Sequence, residues 1–558
     1  MSVDWRNRWG ANWVSSVRNQ VGSVNCWAFA MTALYEAMVR IEHGDWCRRS
    51  EGEASRGPGK QWWDVGNLGE ASGFVEQFGL ADPDCFPWTL HAALLTAKHA
   101  GSVPFVPLSP TPDREGRTVK APAAVAITNV AAKKDWLEKV GPMAMMFTPP
   151  EDFGSLGTGL YIPATGVLGE PHALLVVGFD DAQTFWIVKN SWGSATWGDN
   201  GFGRIAYAAN LLEPLTFYGV RGTDVDPYTK RRLSNGAMVR SGNGRSRNNY
   251  ELFIQRDNNI EHWWRDNGSA GLPWNRAGRV RSTDPWRGFN DMPLDRPAAI
   301  QSTFNRNFEV IYRSDRGFLR HVYFDQAAGM WTDGGIFGPS DPRGVPGFIQ
   351  GSRGAPGDFE VVVQNSRGQV EHWAKHNSFP WTRHPGEWYQ KQSFGAGVLM
   401  GGSALVQSRL GVTREIENGT GELHYVCVNV YQGMEHWFKS GPDTGSWSLL
   451  GGFGLNRITS APVMIEGLFG MQDETGVGNF ELCVGVNGRV EHWWRDNAAG
   501  ANASWRRSAV FGQSVARVLA LLQGPFGYNL EMIVQRFDGR IQHYWRDSNG
   551  WHIGVIIV

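Results

Sequence analysis

Cys26 stands where a turn runs into a helix, a position that turns a thiol into a nucleophile. In the stretch Gln20 to His43, Gly22, Ser23 and Asn25 favour non-helical backbone or N-capping. From Trp27 onward the run is rich in Ala, Met and Leu. Phe29, Ala33 and Ala37 form one apolar line, and Ala30, Leu34, Met38 and Ile41 form the adjoining one. Arg40 and His43 fall in the last turn, before Gly44. The spacing predicts a helix with Cys26 at its positive end, where a thiolate is favoured. Most free cysteines are inert core residues, but two downstream stretches argue against that reading. His172 opens the apolar run PHALLVVG, and Asn190 closes WIVKN, followed by Trp192.

Taken together, these blocks resemble papain-like cysteine peptidases. DWR at Asp4, Gln20 six residues before the cysteine, CWAF at Cys26, His172, and KNSWG at Lys189 all match that family's pattern, as does WGDNGFGRI at Trp197. The resemblance runs from about Asp4 to Gly222. It implies a two-lobed α+β domain in which Cys26 attacks a peptide carbonyl and His172 acts as base and acid. Asn190 would orient the imidazole under the cover of Trp192, and Gln20 would hold the oxyanion with the Cys26 amide. It further implies substrate contacts at Gly69, Met146 and Ala173, with protein or peptide as substrate and no cofactor or metal. Core packing is an equal reading for Met146. The chain departs from the pattern at Ser23 and Gly66, which replace both halves of a family disulfide. It departs again at Val24, Asn25 and Pro171, which bear on subsite shape and catalytic vigour.

The whole chain has 558 residues, which predicts two or three domains. A net charge of −1 offers no electrostatic case for nucleic acid or anionic membranes. No apolar run reaches membrane-spanning length, and neither a recognisable signal peptide nor a propeptide is expected before DWR. Cytoplasmic synthesis is therefore expected, with leaderless export as the alternative. Five cysteines, an odd number, suit a reducing compartment; Cys47 and Cys85 could pair but occupy no family disulfide position. Residues 101 to 122 read as a surface loop, and residues 224–235 as a linker.

From Gly236 to the end the chain repeats six times. The repeats carry His262, His321, His372, His436, His492 and His543, spaced 59, 51, 64, 56 and 51 residues apart. An alternating strand such as FEVVV precedes each histidine, and a tryptophan follows: Trp274, Trp331, Trp381, Trp447, Trp505 and Trp551. Short period-two strands at this repeat length predict a six-bladed β-propeller over 236–558, after a peptidase domain over 1–223. These repeats resemble bacterial β-propeller lectins that bind fucose, which implies a glycan as a candidate ligand. The histidines read as structural. Sets such as Glu491, Trp493 and Arg495 are the candidate sugar contacts, and the second repeat (Arg320, Val322, Phe324) lacks the set. Two alternatives to a targeted endopeptidase stay open: a lectin-like binding protein with a silent peptidase domain, and a thiol acyltransferase or ligase.

Overall fold

The computed structural model describes residues 1–558 except 62, 89–109, 228–232, 244–248, 281–290, 353–356, 378–385, 411–420, 441–444, 455 and 528. The chain divides into two units, Met1–Asp226 with Gln472–Thr475, and Pro227–Met471 with Gly476–Val558.

In the first unit, helix α1 (Cys26–His43) ends at Gly44, whose left-handed φ of 75° lets its amide reach the Arg40 carbonyl. Strands β1 (Ser2–Asp4), β2 (Val125–Ile127), β3 (Met143–Phe147), β4 (Leu160–Tyr161), β5 (His172–Asp180), β6 (Phe185–Lys189), β7 (Phe202–Ala206) and β8 (Phe217–Gly219) form one sheet. Its order is β2-β8-β3-β5-β6-β7-β4, with β1 paired to β5. Helices α2 (Glu51–Arg56), α3 (Leu68–Phe78) and α4 (Val130–Lys139) are the other α-helices among the described residues of the unit.

The two-line apolar face expected of α1 is wider in the structure, because the helix is buried on nearly every side, Glu36 and Arg40 included. Sheet and helices enclose it, and its charged groups are matched inside. Glu36 accepts from the Arg49 amide at 2.8 Å and faces Arg18 at 3.5 Å. Asn67 and Glu70 cap α3 reciprocally, as the order Asn-Leu-Gly-Glu allows. Gly66, at one of the two altered disulfide positions, packs against Trp27 so closely that a Cβ would lie 2.3 Å from the indole. All five cysteines are buried and free. Cys47 and Cys85 are therefore unpaired, and the Cys85 sulfur accepts from the Thr111 hydroxyl at 3.2 Å. No helix among the described residues is long and apolar enough to cross a membrane.

The second unit is all β. It contains six antiparallel four-stranded meanders, β10–β13, β14–β17, β18–β21, β22–β25, β26–β29 and β30–β33. They span Met238–Arg279, Ala298–Phe337, Arg343–Phe394, Val398–Phe453, Val463–Phe511 and Val515–Ile556. The third and fourth join through a single parallel bridge, Val345 to Gly401. First strands neighbour one another in chain order, and β30 also neighbours β10. Ser234–Gly236 is itself a strand, β9, pairing with β30, so residues 234 and 235 of the expected linker are ordered by ladder bonds. Arg296, fully buried, donates to the Val518 and Pro462 carbonyls and the Ser403 hydroxyl, tying four meanders together.

Each meander carries its histidine on the third strand, at a β-bulge. In five of them the imidazole Nε2 meets a glutamate of the second strand. His262–Glu251, His321–Glu309, His372–Glu360 and His492–Glu481 lie at 2.7–2.8 Å, and His543 pairs with Glu531. The fourth replaces the glutamate with His424, whose Nδ1 is 3.0 Å from His436 Nε2. Tryptophans of the neighbouring meander close the pattern. Trp447, Trp505 and Trp551 donate to His372, His436 and His492 at 3.2–3.3 Å.

The expected Trp381 lies outside the described residues, and Trp388 holds the equivalent position. It pairs with Lys375, as Trp447 pairs with Lys439.

Candidate active site

Antiparallel pairing of β5 with β6 explains why two residues 18 positions apart meet. His172 opens β5 and Asn190 follows the end of β6, so both lie at one end of the hairpin. His172 Nε2 and the Asn190 carboxamide oxygen are 2.7 Å apart. That oxygen also accepts from the Ser191 amide at 2.7 Å, which holds the carboxamide in one orientation. The Trp192 indole stacks on the imidazole at 4.5 Å and 26°. Phe153 and Trp197 stand edge-on to Trp192 at 6.1 and 6.0 Å.

Packing of α1 against β5 brings Cys26, the first residue of the helix, beside this pair. Its sulfur lies in hydrogen-bonding reach of the Ala173 amide, next to His172. Both Cys26 and His172 are 4% exposed. Burial pushes the Cys26 thiol up, against backbone amides that favour the thiolate, and pushes His172 down to about 4, against Asn190. An isolated charge on either group is therefore disfavoured. The helix end expected to favour a thiolate is opposed by desolvation, and charge separation is sustained in such a site by an adjacent thiolate and imidazolium.

Gln20 is placed by a second set of backbone bonds. Its amide donates to the Ser191 carbonyl at 2.8 Å, and the Gly193 amide donates to the Arg18 carbonyl at 2.9 Å. The Gln20 carboxamide oxygen accepts from the Ser191 hydroxyl at 2.7 Å, and its NH2 donates to the Ser23 carbonyl. One N–H of that group remains for a further acceptor. Val21, with φ of 51°, and Gly22, with φ of 68°, make the turn between Gln20 and Cys26. A β-branched residue in that region is strained by about 1–3 kcal/mol.

The expected substrate contacts fall in two places. Met146 on β3 pairs directly with Ala173 on β5, Met146 half-buried and Ala173 buried. Gly69 stands on the exposed first turn of α3. Ser191 escaped the sequence reading although it sits within the motif NSW, because only the structure shows its hydroxyl steadying Gln20. Behind Asn190, Lys189 reaches the Ser15 hydroxyl at 3.0 Å, and Arg18 pairs with Glu51 at 3.2 Å.

Comparison with known proteins assigns this unit. Residues 1–213 match the papain family cysteine protease, and they constitute a papain-like cysteine peptidase domain followed by a large all-β region. Human cathepsin L2 is 30% identical over 221 residues, covering 38% of this chain and 61% of that protein. Ananain of Ananas comosus is 29% identical over 235 residues, covering 40% and 60%. A solved digestive procathepsin L 3 of Tenebrio molitor larval midgut is 23% identical, covering 39% of this chain and 69% of that one, with a TM-score of 0.32. The chain spans about three-fifths of the length of these curated relatives.

In the second unit, the glutamate and tryptophan of the candidate sugar sets are engaged with each other, while the set arginines Arg265 and Arg495 bond the Asn267 and Asn497 side chains. Glu261, Glu371, Glu435 and Glu491 accept from Trp263, Trp373, Trp437 and Trp493 at 2.9–3.1 Å. Arg276 and Arg507 add ion pairs to Glu261 and Glu491 at 2.7 and 2.9 Å. Five of the repeat histidines are held by glutamates and His436 by His424, as a structural role requires.

Proposed function

We propose that the first unit is a cysteine endopeptidase and that the second is a binding module that brings it to its target. The observation that carries the catalytic reading is the His172–Asn190 bond under Trp192, set beside a cysteine at a helix N-terminus. In the reaction, the Cys26 proton passes to His172 and the sulfur attacks the peptide carbonyl carbon. The oxyanion so formed is received by the remaining Gln20 N–H and the Cys26 amide. Collapse breaks the C–N bond, and imidazolium returns its proton to the leaving amine. Water, deprotonated by His172, then attacks the thioester and frees the carboxylate and the thiol.

The binding reading rests on repetition. Six meanders whose first strands neighbour one another around to the start support a six-bladed propeller, in which weak sites gain through multivalency. Its ligand is a glycan or a protein surface.

A silent peptidase domain is the second reading, favoured by the burial of both Cys26 and His172 and by Pro171 before the histidine. Acyl transfer to an amine is the third.

Digestion of a denatured protein in heavy-oxygen water separates the three. Heavy oxygen at new C-termini, lost with Cys26→Ala, is the expected result. Amine-linked products would establish transfer, and an uncut substrate would establish the silent reading.

A further inference from the structure

With the repeated Glu and Trp groups bonded to each other and Arg265 and Arg495 bonded to Asn267 and Asn497, an open site is sought elsewhere, and the second repeat supplies it. A cavity of about 850 Å³ opens beside the second and third meanders, at the upper end of the range for small-molecule sites. Its walls include Asn305, Glu309, Tyr323, Asp333, Lys375 and Trp388.

At three other junctions, a tryptophan donates its Nε1 hydrogen to a histidine. Here the Trp388 and His321 rings stand 5.7 Å apart at 89°, and Trp388 Nε1, like Trp274 Nε1 at the junction with His543, is buried without a hydrogen-bond partner among the described residues. A buried donor without an acceptor is destabilising, a cost that a ligand oxygen removes. Phe337 stacks on Trp388 at 3.9 Å and 5°, holding the indole in place. Lys375, 5% exposed, reaches the Gly334 carbonyl at 3.4 Å and keeps other ammonium hydrogens for a ligand.

The acidic groups are largely matched. Glu309 is taken by His321 at 2.7 Å and Asp333 by Arg320 at 2.9 Å, while Asp325 accepts from the Ala327 and Ala328 amides. Carboxylates on several walls disfavour an anion, and a buried lysine disfavours a cation. What remains is an uncharged ligand with many hydroxyls and some apolar surface, matched to aromatic side chains that carry a polar tip.

We propose that this cavity binds a neutral pyranose oligosaccharide, with a ring hydroxyl accepting from Trp388 Nε1. The inference rests on the proposed reading of the second unit as a binding module, and it gives that module's ligand class and location. The repeat that lacks the Glu, Trp and Arg set is the one that offers the site.

The test uses the full-length Cys26→Ala protein, titrated by calorimetry with chitotriose, maltotriose and methyl α-fucoside. At least one should bind. Trp388→Phe keeps an aromatic ring while removing the N–H donor with the five-membered ring that carries it, so it should weaken that binding about fivefold to tenfold. Trp447→Phe removes the equivalent donor at a closed junction and should leave affinity unchanged, which controls for folding. Equal affinity in wild type and Trp388→Phe would overturn the cavity as the site while leaving glycan binding intact. Failure of all three sugars to bind would overturn both the cavity proposal and the glycan reading, but not the peptidase reading, which thiol chemistry tests separately.

Discussion

The Asn190 carboxamide oxygen meets His172 Nε2 at 2.7 Å and the Ser191 amide at the same distance, so one acceptor fixes both a side chain and a turn. Asn190→Ala should leave Cys26 and Gln20 in place while freeing the imidazole to rotate about its Trp192 stack. The expected outcome is a fall in kcat on the order of 10²-fold with KM little changed. Steady-state kinetics on a fluorogenic peptide check it.

Gln20 and Ser191 give a graded pair. Gln20→Ala removes the oxyanion donor itself and should lower kcat by roughly 10²–10³-fold. Ser191→Ala removes only the hydroxyl that holds the Gln20 oxygen at 2.7 Å, so a smaller loss is expected, a few-fold to about tenfold. Equal losses in the two variants would show that Ser191 does more than position Gln20.

Restoring the missing disulfide should fail. Ser23→Cys with Gly66→Cys places a Cβ 2.3 Å from Trp27, a fully buried indole in the first turn of α1. Overpacking of this kind costs about 1–3 kcal/mol. Thiol titration should therefore count both new cysteines as free, and the melting temperature should fall rather than rise.

The His424–His436 pair makes the second unit acid-sensitive. Burial holds both rings below the ordinary histidine value, His436 further through His424 and Arg495; Glu422 and Glu466 act upward on His424. Below about pH 6.5 the unfolded chain takes up protons that the folded pair refuses, so stability falls as pH falls. His424→Glu recreates the Glu–His pair of the other five meanders and should flatten that loss between pH 7 and 5. Thermal melts of the Cys26→Ala protein with and without His424→Glu measure it.

The helix start at Cys26, the strand start at His172 and the strand end before Asn190 were legible in the sequence, because each lies in a short block whose local residues dictate turn, helix or strand. The six repeats were legible for the same reason, since strand alternation and the histidine recur within each copy. Other features depend on contacts between distant segments. The all-round burial of α1 follows from Arg18 and Arg49 meeting Glu36, and the sequence pattern of α1 carries no trace of them. Trp381 and Trp388 both follow His372, and only cross-strand pairing with Lys375 selects the second. The unpartnered Trp388 donor is likewise a property of two meanders together, and no single repeat reveals it.

The peptidase reading requires the Cys26 sulfur to be an assembled nucleophile despite its burial. Intact mass after incubation with an epoxysuccinyl inhibitor of papain-like enzymes tests this directly, with Cys26→Ala and His172→Ala alongside. One adduct is expected on the wild type, none on Cys26→Ala and a greatly slowed reaction on His172→Ala. An unmodified wild type that is fully folded by circular dichroism would contradict it, and the binding module would then be the working part of the protein.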